Sequence, residues 1–232
     1  MARRGRRCDD DHQMSRVVEG ERKLKAKVLE RLRQTGRFGP KPLIASEFCI
    51  GSTGIRADLI IASRTTREFA AIEIKSSVDT LKRLPSQVAA YVRYFDYVMV
   101  VGAHRHQSRI RRMDVPGLEI WEAEKSGTLA VVRAGDRNAP TDSFEDLMTQ
   151  RDVQRYRTLL NGGPEGIRDA FFATFDERFG PTSEQFWSSV GRGITTESLS
   201  LLSRFEAERQ EQRNLRSFEA RQLSSWAALE AA

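Results

Sequence analysis

Only two cysteines, Cys8 and Cys49, occur in the 232-residue chain. They are too few for a disulfide framework, and their spacing fits no metal-ligand pattern. Long apolar runs are also missing. A helix needs roughly 18–20 apolar residues to span a bilayer, and no stretch approaches that length. The basic N-terminal stretch MARRGRRCDDDHQ has no apolar core segment, so a secretion signal is not expected. These absences set the expectation of a cytoplasmic protein with no membrane association. There are no internal repeats and no low-complexity tracts, which argues against solenoids and tandem arrays.

What is present points to a globular chain. Hydrophobic residues make up 39% and charged residues 30%, a balance of a folded soluble protein rather than a disordered one. The length suits one large domain, or a catalytic-sized domain with an appendage. A net charge of +6, from 38 Lys and Arg against 32 Asp and Glu, favours an anionic partner such as nucleic acid. The same balance fits a ribosome-associated or merely soluble protein, so charge alone decides nothing.

Periodicity divides the chain. Residues 1–15, with four arginines followed by three aspartates, read as a disordered basic tail. Val17, Val18, Leu24, Val28 and Leu32 recur at helical spacing across 16–34, and TGRFGPKP ends that helix. Strand-like runs follow at 43–50, 55–63 and 68–76, joined by the hairpin-sized linkers GSTG and RTTR. Residues 81–95 place Leu81, Leu84, Val88, Tyr91, Val92 and Phe95 on one helical stripe. DYVMVVGA (96–103) reads as a buried strand, and GLEIWEAE and GTLAVVRA as two more. Beyond Pro140 the pattern becomes helical: 142–161, 164–179, 182–190, and a long segment from the candidate N-cap Thr195 towards Trp226.

Hairpin geometry then brings charge together. A four-residue RTTR loop makes Ser63 face Glu68, which places Asp58 opposite Glu73. A GSTG loop of the same length makes Ile50 face Ile55, which places Glu47 opposite Asp58. Directly paired residues share a face, so Glu47, Asp58 and Glu73 line up across three strands, with Lys75 beside Glu73. The opposite face collects Phe48, Ile50, Ala57, Leu59, Ile61, Ile72 and Ile74, a core-facing surface. Strands lie about 4.8 Å apart, so three aligned carboxylates repel one another. A hard divalent cation removes that objection, since Mg²⁺ binds carboxylates, waters and phosphate oxygens. The lysine can orient a water or stabilise charge on a phosphate. The plainer alternative is a solvated sheet face with ordinary cross-strand ion pairs.

At these residues the chain resembles the PD-(D/E)XK, restriction-endonuclease-like, nuclease superfamily. Asp58 matches its aspartate, Glu73-Ile74-Lys75 its E-x-K element, and Glu47 its upstream acidic residue. Ala57, not proline, precedes the aspartate. The resemblance covers about residues 16–135. It implies an α/β fold with a helix, a three-stranded antiparallel meander, a helix and a strand, occupying residues 16–138. Residues 139–232 are then a helical C-terminal appendage outside the site, available to a protein partner or a homodimer contact. Gln87-Val-Ala-Ala-Tyr91 resembles the Q-x-x-x-Y element of RecB-like exonucleases, which lies beside the active site and engages the DNA strand. Four residues apart, Gln87 and Tyr91 share a helical face; Tyr91 as core and Gln87 as its solvated neighbour is the alternative.

The resemblance implies a Mg²⁺- (or Mn²⁺-) dependent deoxyribonuclease of bacterial or phage DNA repair, processing or defence. Glu47, Asp58 and Glu73 hold the metal in that reading, with Asp58, Glu73, Lys75 and Gln87 catalytic. Lys82, Arg83, Arg105, Arg109, Arg111 and Arg112, with Gln87 and Tyr91, contact DNA. A charge run of this kind is otherwise a solvated face. His104 and His106 do not have the spacing of helical metal ligands. The rival reading is a catalytically idle DNA-binding or adaptor subunit within a larger complex.

Overall fold

Both hairpins close where the loop lengths predict. The Ser63 amide donates to the Glu68 carbonyl at 2.9 Å, and the Ile50 amide donates to the Ile55 carbonyl at 2.9 Å. The computed structural model describes residues 5–51, 53–124, 126 and 128–202, with side chains described from residue 20 onward. Helix α1 (Gly5–Thr35) leads to strands β1 (Leu43–Cys49), β2 (Arg56–Ala62) and β3 (Phe69–Lys75), an antiparallel meander. Helix α2 (Leu84–Tyr94) then crosses to β4 (Tyr97–Ala103), which pairs parallel with β3. A short α3 (Gln107–Ile110) precedes β5 (Glu119–Ala123), parallel to β4, and β6 (Leu129–Arg133) returns antiparallel to β5. Next come α4 (Gln150–Arg155), α5 (Arg157–Leu160) and α6 (Gly163–Ser189). The described residues thus form an α/β fold around one mixed sheet, ordered β1-β2-β3-β4-β5-β6.

Helices cover both faces of this sheet, the condition under which parallel strands are found. On one face α1 packs Val28, Leu29 and Leu32 with Ile44, Leu59, Ile61, Ile72 and Ile74. On the other, α2 packs Leu84, Val88 and Tyr91 with Ile60, Phe69 and Ala71. Strict alternation fails partway along β1. Leu43 and Ala45 face the α2 side, and so do Phe48 and Ile50, an offset of one residue. Glu47 is the cause. Its φ of 58° is left-handed, and no rung joins it to Asp58 between Ser46↔Leu59 and Phe48↔Ala57. The single apolar face expected from alternation is therefore split. Phe48, Ile50 and Ala57 lie on the α2 side, whereas Leu59, Ile61, Ile72 and Ile74 lie on the α1 side.

Two boundaries differ from those expected. Residues 5–15, read as a disordered tail, belong to the first turns of α1. The C-terminal region is no appendage through Leu202, because α6 supplies core to both faces. Phe171, Phe175 and Phe179 join Phe48 and Phe69 on the α2 side, and Phe186 joins the α1 side. The Phe69 and Phe171 ring centroids are 5.0 Å apart, and Phe144 stacks on Phe171 at 4.7 Å. Between these two sets α6 passes the edge of the sheet, where Ser183 Oγ accepts the Ile44 amide at 2.9 Å. Thr195 lies just before a 3₁₀ turn, Ser198–Leu202. The rest of the expected last helix, with its partner or dimer role, lies outside the described residues.

Beyond β4 the chain folds back over the sheet. Gly102 leaves room for this, since a Cβ there would come within 2.3 Å of Ile110 Cδ1 in α3. The segment 104–112 is thereby held over the C-terminal ends of the parallel strands, where open α/β sheets bind ligands.

Because α6 is core, a chain ending near Asn138 should not fold cooperatively. In the full chain, Phe171→Ala should cost about 3–5 kcal/mol, as for other buried aromatic truncations. Chemical denaturation measures both. A truncated chain with a sharp unfolding transition would contradict this packing.

Candidate functional site

The site lies where β2 and β3 part. Their ladder ends at Leu59↔Ile72, one pair short of Asp58 and Glu73. Beyond that pair the Ile74 amide donates to Asp58 Oδ2 at 2.6 Å. A side-chain oxygen takes the place of a main-chain carbonyl, so the amide stays satisfied while the strands separate. Glu47 is carried on the left-handed residue of β1. Such a conformation in a non-glycine costs of order 1–3 kcal/mol and collects at functional sites.

Three carboxylates converge at this opening. One oxygen each from Glu21 of α1, Glu47 of β1 and Asp58 of β2 lie within 4.8 Å of one another. Lys25, one turn beyond Glu21, donates from Nζ to Glu47 Oε1 at 2.7 Å and pairs with Glu21 Oε1 at 2.8 Å. Arg56 approaches Glu47 Oε2 from the exposed side, at 3.6 Å. Burial pushes the Asp58 carboxyl well above the usual carboxylate range. The neighbouring Glu73 charge pushes it further, against the pull of Lys25. Burial alone would lower the Lys25 ammonium, but Asp58, Glu47 and Glu21 outweigh it and hold it protonated.

Glu73 anchors a second cluster on the α2 side. Its Oε1 accepts from Lys75 Nζ at 2.5 Å and from Gln87 Nε2 at 2.6 Å; its Oε2 accepts from the Tyr91 hydroxyl at 2.6 Å. Lys75 Nζ also reaches Gln87 Oε1 at 3.2 Å. All four side chains are buried. Burial and the Glu73 carboxylate raise the Tyr91 phenol, which keeps its proton as a donor.

The structure therefore rearranges the expected set. Asp58 and Glu47 come together as expected, but the third member of their group is Glu21, and Glu73 belongs to the lysine cluster. Sequence reasoning missed Glu21 and Lys25. Their i, i+4 spacing is a visible helical ion pair, but nothing in the sequence docks that face of α1 on the strand ends. Tyr91, 0% exposed, points at Glu73 and at the Arg56 carbonyl and has no free face for a DNA base. Gln87 is buried beside it and holds Glu73 and Lys75.

The expected DNA-contacting cations divide in the same way. Lys82, Arg105 and Arg109 line one cleft with His106 and Ser108, at the end of β3. Arg83 and Arg112 are exposed but do not line it. Arg111 is committed to Glu122 Oε2 at 2.7 Å, and His104 Nδ1 lies 2.5 Å from the other oxygen of that carboxylate. The charge available to an anion in the cleft is therefore narrower than the charge run suggests. No helix among the described residues is long and apolar enough to cross a membrane.

A family model for bacteriophage P4 protein cII matches residues 14–203. Protein cII of Enterobacteria phage P4 is 25% identical over 209 residues, spanning 79% of this chain and 78% of that protein. A solved structure of a protein of unknown function from Silicibacter pomeroyi is similar over 64% of this chain and 94% of its own. Its identity is 18% and its TM-score 0.40.

The raised Asp58 carboxyl sets a pH dependence. Its proton is bound more tightly in the folded chain. Its contribution to stability is therefore full below the unfolded value, about 3.9, and is lost as pH rises through the higher folded value. Asp58→Asn keeps an acceptor for the Ile74 amide and cannot ionise. Metal-free Asp58→Asn should therefore unfold at a higher temperature than the parent at neutral pH, by the equivalent of ~1 kcal/mol. The gap should close as pH falls towards 4. Thermal unfolding across that range checks this, and a variant less stable than the parent at pH 7 would contradict it.

Proposed function

The chain belongs to the bacteriophage P4 protein cII family, and we propose that it is a metal-dependent nuclease that hydrolyses phosphodiester bonds in DNA. One observation carries this reading. Three carboxylate oxygens from α1, β1 and β2 converge within 4.8 Å, next to the buried Lys75–Glu73 pair of β3. The order α1, β1-β2-β3 meander, α2, β4 supports a restriction-endonuclease-like core, in which these elements carry such a site. The basic cleft at the end of β3 supports an anionic, extended substrate.

The donor set fits a hard cation, since it offers carboxylate oxygens without sulfur or imidazole. Glu21, Glu47 and Asp58 would hold it. Bound there, Mg²⁺ or Mn²⁺ supplies Lewis acidity towards a phosphate oxygen and lowers the pKa of a water. The chain's own groups do the rest. Glu73 and Gln87 fix the Lys75 ammonium, leaving one of its three donors for the attacking water or a phosphate oxygen. Tyr91 and Gln87 act through Glu73 as positioning residues. Lys82, Arg105 and Arg109 hold the phosphate backbone without reading bases. Processing, repair or defence of bacterial or phage DNA is the setting such chemistry serves.

A second reading, a catalytically idle DNA-binding subunit, is favoured by one feature: Lys25 already supplies a positive charge to the carboxylates.

The test is incubation of the full chain with circular single-stranded and double-stranded DNA, with Mg²⁺ or Mn²⁺. Cleavage by the parent and its loss by about 10²-fold or more in Lys75→Met are expected, the scale of a removed electrostatic or acid–base group. Replacing Lys82, Arg105 and Arg109 by alanine should lower the salt slope of DNA binding by about one for each phosphate no longer neutralised. A parent that cleaves neither DNA with either metal, while still binding it, leaves the idle reading standing.

A further inference from the structure

We propose that Lys25 is the resident cation of the Glu21–Glu47–Asp58 triad, and that a divalent metal enters by displacing its ammonium. The inference rests on the metal site proposed above and concerns how that site is occupied and vacated.

Lys25 is 6% exposed, the one buried charged side chain among the described residues of α1. A lysine in that position is costly unless paired. Its Nζ lies 2.7 Å from Glu47 Oε1 and 2.8 Å from Glu21 Oε1, and Asp58 is close enough to bias its proton. The oxygens that hold the ammonium come from the carboxylates that would hold a metal. Mg²⁺ binds oxygens at 2.0–2.1 Å with near-octahedral demands. An ammonium hydrogen-bonded to two of those carboxylates would share their oxygens and oppose the ion as a like charge. The two cations therefore compete for one place.

Placement on the helix suits an exchange. Lys25 follows Glu21 by one turn, so the two side chains share one face of α1. Its flexible four-carbon chain can leave the triad without moving a strand. The consequence is a protein whose acidic cluster is partly neutralised before metal arrives. Folding then does not depend on metal, and affinity is set by the difference between two cations.

Calorimetric titration of the full chain with Mn²⁺ tests this, with parent and Lys25→Met compared. Binding should tighten by about tenfold in Lys25→Met, equivalent to 1.4 kcal/mol, and the metal-free variant should melt below the parent. If the parent binds Mn²⁺ and the folded variant binds no more tightly, the exchange is wrong and the nuclease reading is untouched. If the parent binds no Mn²⁺, the metal site itself is wrong. A second measurement needs no variant. Acetic anhydride labelling read by mass spectrometry should find Lys25 protected in metal-free parent and labelled with saturating Mn²⁺, while exposed Lys82 labels in both. Protection of Lys25 unchanged by Mn²⁺ would overturn the exchange.

Discussion

The hydrogen bond from the Ile74 amide to Asp58 Oδ2 is the interaction from which the rest of the site follows. It stands where a main-chain rung between β2 and β3 would otherwise be. With the amide satisfied, β2 can leave β3 without exposing an unpaired buried donor, which would cost about 1–3 kcal/mol. That separation gives room for α1 to bring Glu21 and Lys25 to the strand ends. It also holds Asp58 between two other carboxylates, an arrangement that an uninterrupted ladder would not leave open to any ligand.

Two neighbouring clusters divide the charge differently. Around Glu73, one carboxylate accepts from one ammonium, one amide and one phenol, and one N–H of the Lys75 ammonium is left over. Around Asp58, three carboxylates meet the Lys25 ammonium, with Arg56 on the outer side of Glu47, and burial, followed by the neighbouring Glu73 charge, raises the Asp58 carboxyl. The first cluster balances its one carboxylate with one ammonium. The second holds more carboxylates than cations, an excess that the proposed divalent ion would offset. Strain at Glu47 (φ 58°) belongs to the same account, since relaxing it would withdraw that carboxylate from the triad.

The local part of this was legible in the sequence. Loop lengths alone gave both hairpin registers, because a four-residue connection leaves little choice of closing pair, and Ser63–Glu68 and Ile50–Ile55 close as expected. The E-x-K spacing and the Gln87–Tyr91 pair were visible, since both depend on strand or helix period. Three things were not. The left-handed residue at Glu47 breaks alternation, and a glutamate gives no sign of positive φ. The docking of α1 is a long-range event, so Glu21 and Lys25 looked like one surface ion pair among many. The phenylalanines of α6 complete the core around Phe48 and Phe69, a long-range contact that sequence distance hides and that the expected appendage at 139–232 left out.

Glu21, Glu47 and Asp58 are the proposed site for a divalent cation. Crystals grown with Mn²⁺, measured near the manganese edge, test it most directly. One anomalous peak is expected, bonded to Asp58 and at least one of its two partner carboxylates, with Lys25 Nζ moved away from it. A Lys25 ammonium still bonded to Glu21 and Glu47, with no anomalous density between the three carboxylates, would contradict it.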